Sequence, residues 1–236
     1  MWLGSTQTVP INGLPVRRNP CIVRPYFDYI RLSMNKATIL LLAFCAGFSI
    51  MCFELLGGKL LAPYFGSSVY VWGSIITVFM LALSIGYLTG GKLSLFNPNL
   101  TKYGFIFIAS AMSIIPTIYF SEAIMDWVFE LVEDPRYGSL LASICLFLVP
   151  TVIMGMIAPY SVRILTESKH SSGQTAGFLY FVSTLGSAIG TIVTSFYFVL
   201  WMEINQILWL TVSVMFIAGL IALVINFNKS LPSKES

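Results

Sequence analysis

Six apolar runs, each long enough to cross a bilayer, leave this chain few ways to fold. They lie at roughly 37–56, 69–90, 103–120, 138–160, 176–200 and 204–226. A spanning helix needs about 20 mostly apolar residues. Lipid gives backbone N–H and C=O groups no partner, so such runs close their hydrogen bonds internally, as helices. The sequence is 57% hydrophobic and 10% charged, against about 25% charged in a soluble domain. A soluble fold is excluded on that ground, and a net charge of +3 is too small to suggest a nucleic-acid partner. The expected fold class is an all-α integral membrane protein of about six transmembrane helices, with a short interfacial helix on the outer side.

The basic residues set the orientation. Arg17, Arg18, Arg24, Arg31, Lys36, Lys92, Lys102, Arg163, Lys169, Lys229 and Lys234 all fall on one side of the six runs. The other side has only Lys59 and Arg136 as bases, with Glu122, Asp126, Glu130, Glu133, Asp134 and Glu203. Both termini are therefore expected in the cytoplasm of a bacterial inner membrane. Residues 1–33 are polar to mixed, with Pro10, Pro15, Pro20 and Pro25, and lack the layout of a cleaved signal. They are expected to form a loosely ordered tail, or one lying along the membrane. Met34 would itself make a sensible start for the transmembrane domain at 34–228, with 229–236 as a short cytoplasmic tail.

Between the third and fourth runs, SEAIMDWVFELVED repeats its acids Glu122, Asp126, Glu130 and Glu133 at helical spacing. Ser121 would cap a short interfacial helix and Pro135 would stop it. That helix would form an acidic lip that collects cations, or simply a solvated face ending the third span. Gly86 with Gly90, Gly173 with Gly177, and Gly186 with Gly190 are four apart, the spacing that brings membrane helices into close contact. The fifth run also carries Ser183, Thr184, Ser187, Thr191 and Thr194, which places it inside the bundle, where hydroxyls find partners. Pro116, Pro150 and Pro159 are expected to kink or break their helices.

The stretch MCFELLGGKLLAPYFGSSVYVWGSIITVFMLALSIGYLTGGK holds the main candidate site. Glu54 is a carboxylate within an apolar run, which costs about 2.5–3.5 kcal/mol on insertion scales. Lys59, five residues on, is its candidate partner across a backbone loosened by Gly57 and Gly58. Arg163 is a second candidate. Tyr64, Phe65 and Trp72 would line the outer mouth, and aromatic faces beside a carboxylate suit an organic cation. The bland alternative is a hydrogen-bonded Glu54 that locks two helices together. Cys21, Cys45, Cys52 and Cys145 make no metal-ligand spacing, and His170 sits alone in a polar loop. No metal, cofactor or intramembrane catalytic cluster is implied, so the chain is not expected to be an enzyme.

The segment FELLGGKLLAPYFGSSVYVWGSIITVFMLALSIGYLTGGKL resembles the first two spans of the membrane portion of fused spermidine synthase-like proteins, a major-facilitator-like region joined to an aminopropyltransferase. MGMIAPYSVRIL and GQTAGFLYFVSTLGSAIGTIVTSFYFVL are similar to later parts of it. Fused members continue into a soluble domain with a Gly-rich nucleotide-binding turn. No strand–GxGxxG–helix unit occurs in this sequence, so the aminopropyltransferase reaction is not carried over. The resemblance implies a membrane module; Glu54, the aromatic loop, the acidic outer helix and the six spans together point to a transporter-like or small-molecule-binding module for polyamine-like organic cations. The alternative is a scaffold that docks a separate soluble synthase-like enzyme. Six spans equal half of a major-facilitator transporter, so a homodimer is a further expectation.

Overall fold

The structure, a computed structural model, describes residues 23–96, 98–166 and 172–230, with side chains over 36–96, 98–166 and 173–225. Cys21, Lys169 and His170 lie outside the described residues. Contacts divide the chain into units Met1–Met34 and Asn35–Ser236. Of the first, the described part is the start of α1 (Val23–Phe65). Part of the stretch expected to be a loose tail is thus helical.

The second unit continues with α2 (Val69–Leu93), α3 (Leu100–Leu131), α4 (Pro135–Gly155), α5 (Ile157–Leu165), α6 (Ser172–Val193), a π-helical turn at Thr194–Phe198, α7 (Val199–Trp201) and α8 (Ile204–Ser230). No strand occurs among the described residues. Among the described residues six stretches are long and apolar enough to cross a membrane: Lys36–Phe65, Val69–Leu93, Leu100–Leu131, Pro135–Leu165, Gly173–Trp201 and Ile204–Ile225. Short turns at 66–68, 132–134 and 202–203 reverse the chain, and α2 and α3 are joined through the described residues 94–96 and 98–99. One end of the bundle, the tail end, holds Lys36 and Arg163. The other, the far end, holds the α1–α2 and α3–α4 turns.

Local chemistry sets these boundaries. Gly66, at φ +77°, takes the left-handed conformation that ends α1. The Asn99 side chain accepts from the Lys102 N–H at 2.9 Å and caps α3. Asp134 caps α4 by accepting from the Arg136 N–H at 2.9 Å, with Pro135 in the first turn. Pro135 therefore starts α4; α3 has already ended at Leu131.

The separate interfacial helix is not formed. α3 runs unbroken through Pro116, and Ser121, expected as a cap, is buried mid-helix. Pro150 also lies inside a continuous helix. Only Pro159 breaks its helix. It has no N–H to give the Gly155 carbonyl four residues back, and the chain kinks at Met156, whose N–H bonds to Ile153 at 3.1 Å instead.

α1 is the central helix. Phe53 meets Phe79 of α2 and Phe147 of α4, with ring centroids 5.8 and 5.3 Å away. Cys52 Sγ accepts from Thr211 of α8 at 3.5 Å. α6 lies against α1 through glycine contacts: an added Cβ at Gly186 would meet Phe44 backbone, and one at Gly190 would come within 2.9 Å of Phe48 Cα. Gly86 and Gly90 likewise bring α2 against the α4–α5 junction, at Gly155 and Met156. Gly173 and Gly177 face open space and pack against nothing.

α6 corrects a second expectation. Only 17% of its most apolar window is buried, against 50% for α1. Ser187 donates to the Gly47 carbonyl at 3.1 Å, and Thr191 folds back on the Ser187 carbonyl at 2.9 Å.

At the tail end, a buried network ties α3 to α5. Ser161 Oγ donates to the Ile157 carbonyl at 2.7 Å, so the Tyr103 hydroxyl, 2.6 Å away, is the donor of the pair. Tyr103 also stacks on Tyr160, which accepts from the Asn99 N–H. Ser161→Ala is therefore expected to cost more than Tyr103→Phe. The first leaves a fully buried phenol without its acceptor, about 2 kcal/mol; the second leaves Ser161 its own bond, about 1 kcal/mol. Detergent-induced unfolding of the two variants would measure that order.

Candidate functional site: a mixed-charge cleft at the far end

Two positions on one helix meet only if they share a face. Glu54 and Lys59 are five apart, which on an α-helix turns them by about 140°. They accordingly point to opposite sides of α1. Among the described residues Glu54 makes no hydrogen bond or ion pair, and it is half-buried. Gly57 and Gly58 do not loosen the helix. They make room for the Phe147 ring, 3.2 Å from an added Cβ, and for the Trp72 ring, 2.6 Å away. The expected Glu54–Lys59 polar centre is not formed. Arg163 is exposed on α5 at the other end of the bundle, so it does not answer Glu54 either.

Lys59 instead lines a cleft of about 620 Å³ at the far end. From α1 come Lys59 and Tyr64. From α3 come Ile118, Ser121, Glu122 and Met125, a stripe at helical spacing. The α7–α8 turn closes the third side with Met202, Glu203 and Asn205. The Tyr64 hydroxyl faces the Asp126 carboxylate, one turn beyond Glu122. Gln206 fixes the Glu203 backbone: its Oε1 accepts from the Glu203 N–H at 3.1 Å, half of a capping box at the start of α8. The cleft thus has an apolar floor and opposite charges on its rim.

The structure brings Lys59, Tyr64 and Glu122 together, with Asp126 beside them. It leaves Phe65 and Trp72 out. Phe65 is 6% exposed and packed on Gly138 and Phe129; Trp72 lies over Gly58. Glu130 and Glu133 are exposed further along, outside the cleft lining. Glu203 and Asn205 are lining residues that the sequence reading did not select. Their signal was the run EINQ directly before the last apolar span, which carries the Glu203 to Gln206 capping spacing.

The far end is acidic overall: Glu122, Asp126, Glu130, Glu133, Asp134 and Glu203 stand against Lys59 and Arg136. The Arg136 guanidinium lies 4.8 Å over the Tyr70 ring, and its 4.0 Å approach to Asp134 is exposed, so that pair contributes little. Among the described residues no group of three His, Cys, Asp or Glu side chains is placed to hold a metal ion.

Compared with family models, curated proteins and solved structures, the chain matches none. The class it can be given is the one its fold defines: a helical bundle whose six long helices have the length and composition to cross a membrane.

Proposed function

We propose that this chain is a multi-pass membrane module, transporter-like, that binds a small organic cation in the far-end cleft. The observation that carries this reading is the pair of carboxylates on facing walls, Glu122 of α3 and Glu203 of the α7–α8 turn, beside the Tyr64 ring. Two acids from separate elements suit a ligand with more than one ammonium group, and the apolar floor between them suits its methylene chain. The resemblance to spermidine synthase-like proteins points to polyamines as the class. With basic residues gathered at the tail end, the positive-inside rule puts both termini in the cytoplasm of a bacterial inner membrane and opens the cleft to the outside.

Titration of labelled spermidine into the protein in nanodiscs tests the reading. Glu122→Gln and Glu203→Gln are each expected to weaken binding about tenfold, the scale of one charge-assisted hydrogen bond. Lys59→Ala, which removes a like charge from the rim, is expected to tighten it. Equal affinity across all four proteins would overturn the assignment.

A further inference from the structure

A second cavity lies on the opposite face of α1, within the apolar part of the bundle. Its volume is about 160 Å³. Its floor is α1, at Gly47, Ile50 and Met51. Tyr87 of α2 and Tyr180 with Ser187 of α6 form its walls. Tyr87 and Tyr180 are 48% and 50% exposed, so the cavity opens sideways rather than to either end.

Glu54 does not line the cavity itself; it follows the floor on the same face of α1, one turn beyond Met51. Gly47, Ile50, Met51 and Glu54 stand at i, i+3, i+4 and i+7, one stripe of the helix. Side chains on a helix lean toward its N-terminus, and for Glu54 that direction is toward Met51, at the cavity's near edge. Gly58 is next on the stripe, and the Trp72 ring covers it. By helical rise Glu54 sits about 27 Å from Lys36 and about 16 Å from Phe65 along the axis, deep in the span. No described side chain bonds to it. A carboxylate so placed, half-exposed one turn from a mostly apolar cavity, has no cationic partner among the described residues.

We propose that this lateral cavity binds a lipophilic primary amine: its ammonium on Glu54, its apolar body against Gly47, Ile50 and Met51. This differs in class from the far-end ligand. One acid near a small, mostly apolar cavity takes a monoamine with a compact apolar body, whereas the far-end cleft presents two acids for a ligand with several amino groups. Trp72 adds an aromatic face one turn from the ammonium. The site is reached from the bilayer, where such amines concentrate. It shares no residue with the far-end cleft, so each reading stands or falls without the other.

The test uses the full-length protein in nanodiscs, with 2-phenylethylamine as probe and uncharged 2-phenylethanol as its counterpart, both corrected for empty nanodiscs. The amine is expected to bind at least tenfold more tightly than the alcohol. Glu54→Gln is expected to remove that tenfold advantage while leaving the alcohol unchanged, and Glu54→Asp to retain part of it. Thr184→Trp, which fills the exposed mouth without altering the floor, is expected to abolish binding of both. Glu122→Gln and Glu203→Gln are expected to leave the amine unaffected. The proposal is overturned if wild type holds the amine no better than the alcohol, or if Glu54→Gln binds the amine as wild type does. The latter would mean that Glu54 carries a proton there rather than a ligand.

Discussion

Gly86→Leu is expected to unseat α2 from the α4–α5 junction and to cost about 3 kcal/mol, the upper part of the usual overpacking range. The magnitude follows from what the new side chain would strike. A Cβ at Gly86 runs into the Val152 carbonyl oxygen and comes within 2.8 Å of Gly155 Cα. Those are backbone atoms and cannot swing aside as a side-chain tip does. One turn on, Gly90 has the same relation to Met156, at 2.6 Å from its Cα. The two helices therefore touch backbone to backbone over a full turn, and a leucine at either position must push one of them away. Gly91 and Gly177 are the controls. A Cβ at either meets nothing within 4 Å, so alanine there is expected to be neutral or to stabilise by about 0.5–1 kcal/mol, by helix propensity alone. Unfolding in mixed micelles, read by loss of helical signal against denaturing detergent, separates the cases. A Gly86→Leu protein that unfolds with wild type would mean that the α2–α4 contact is not close-packed.

That contrast also shows what the sequence could and could not specify. Spacing of four identified Gly86, Gly90, Gly186 and Gly190 as packing positions, and all four meet backbone of another helix. The same spacing selected Gly173 and Gly177, which meet nothing. A small residue permits a close approach but does not choose which face receives a neighbour. The number of long apolar helices was readable because each run must satisfy its backbone internally. The place of α6 was not. Its hydroxyls looked as though they required protein partners; Ser187 does reach across to the Gly47 carbonyl of α1, yet Thr191 bonds to a carbonyl one turn back on its own helix. Pro159 and Pro116 make the same point: both are helix-breaking by chemistry, and only the first sits where the chain bends.

The candidate sites were half visible. Glu54 was conspicuous because charge is rare in an apolar run, but its partner was sought along the chain, five residues away. Helical rotation, not sequence distance, decides that question, and it sends Lys59 to the other face of α1. There Lys59 lines one cleft with Glu122 and Glu203, acids brought to it only by the folding of α3 and α8 around α1. Of the acidic run at 122–133, Glu122, Asp126 and Glu130 do share one face of α3, while Glu133 falls past its end at Leu131. That its first acid alone would line a cleft depended on where α3 crosses α1, which local periodicity does not carry.

Phe147→Ala is the second large effect expected, at about 3 kcal/mol. Phe147 is fully buried, with Phe53 at 5.3 Å on one side and Phe79 at 5.7 Å on the other. The near-perpendicular approach to Phe53, at 82°, sets the edge of one ring on the face of the next. Gly57 leaves the space that the ring tip fills. In water such a truncation costs about 3–5 kcal/mol, part of it transfer of the lost atoms and part the cavity left behind. In a bilayer the transfer part shrinks, because lipid tails are as apolar as the protein interior, and packing remains as the driving force. The low end of the range is therefore the expectation. Phe181→Ala isolates that argument. Phe181 is as large but 61% exposed on α6, so its removal forfeits few protein contacts and is expected to cost under about 0.5 kcal/mol. Both variants lose one aromatic ring from the chain, and only the first opens a hole where three helices meet. Equal destabilisation of the two would show that burial against lipid and burial against α1 are energetically alike, and that the aromatic trio does not hold α1, α2 and α4 together.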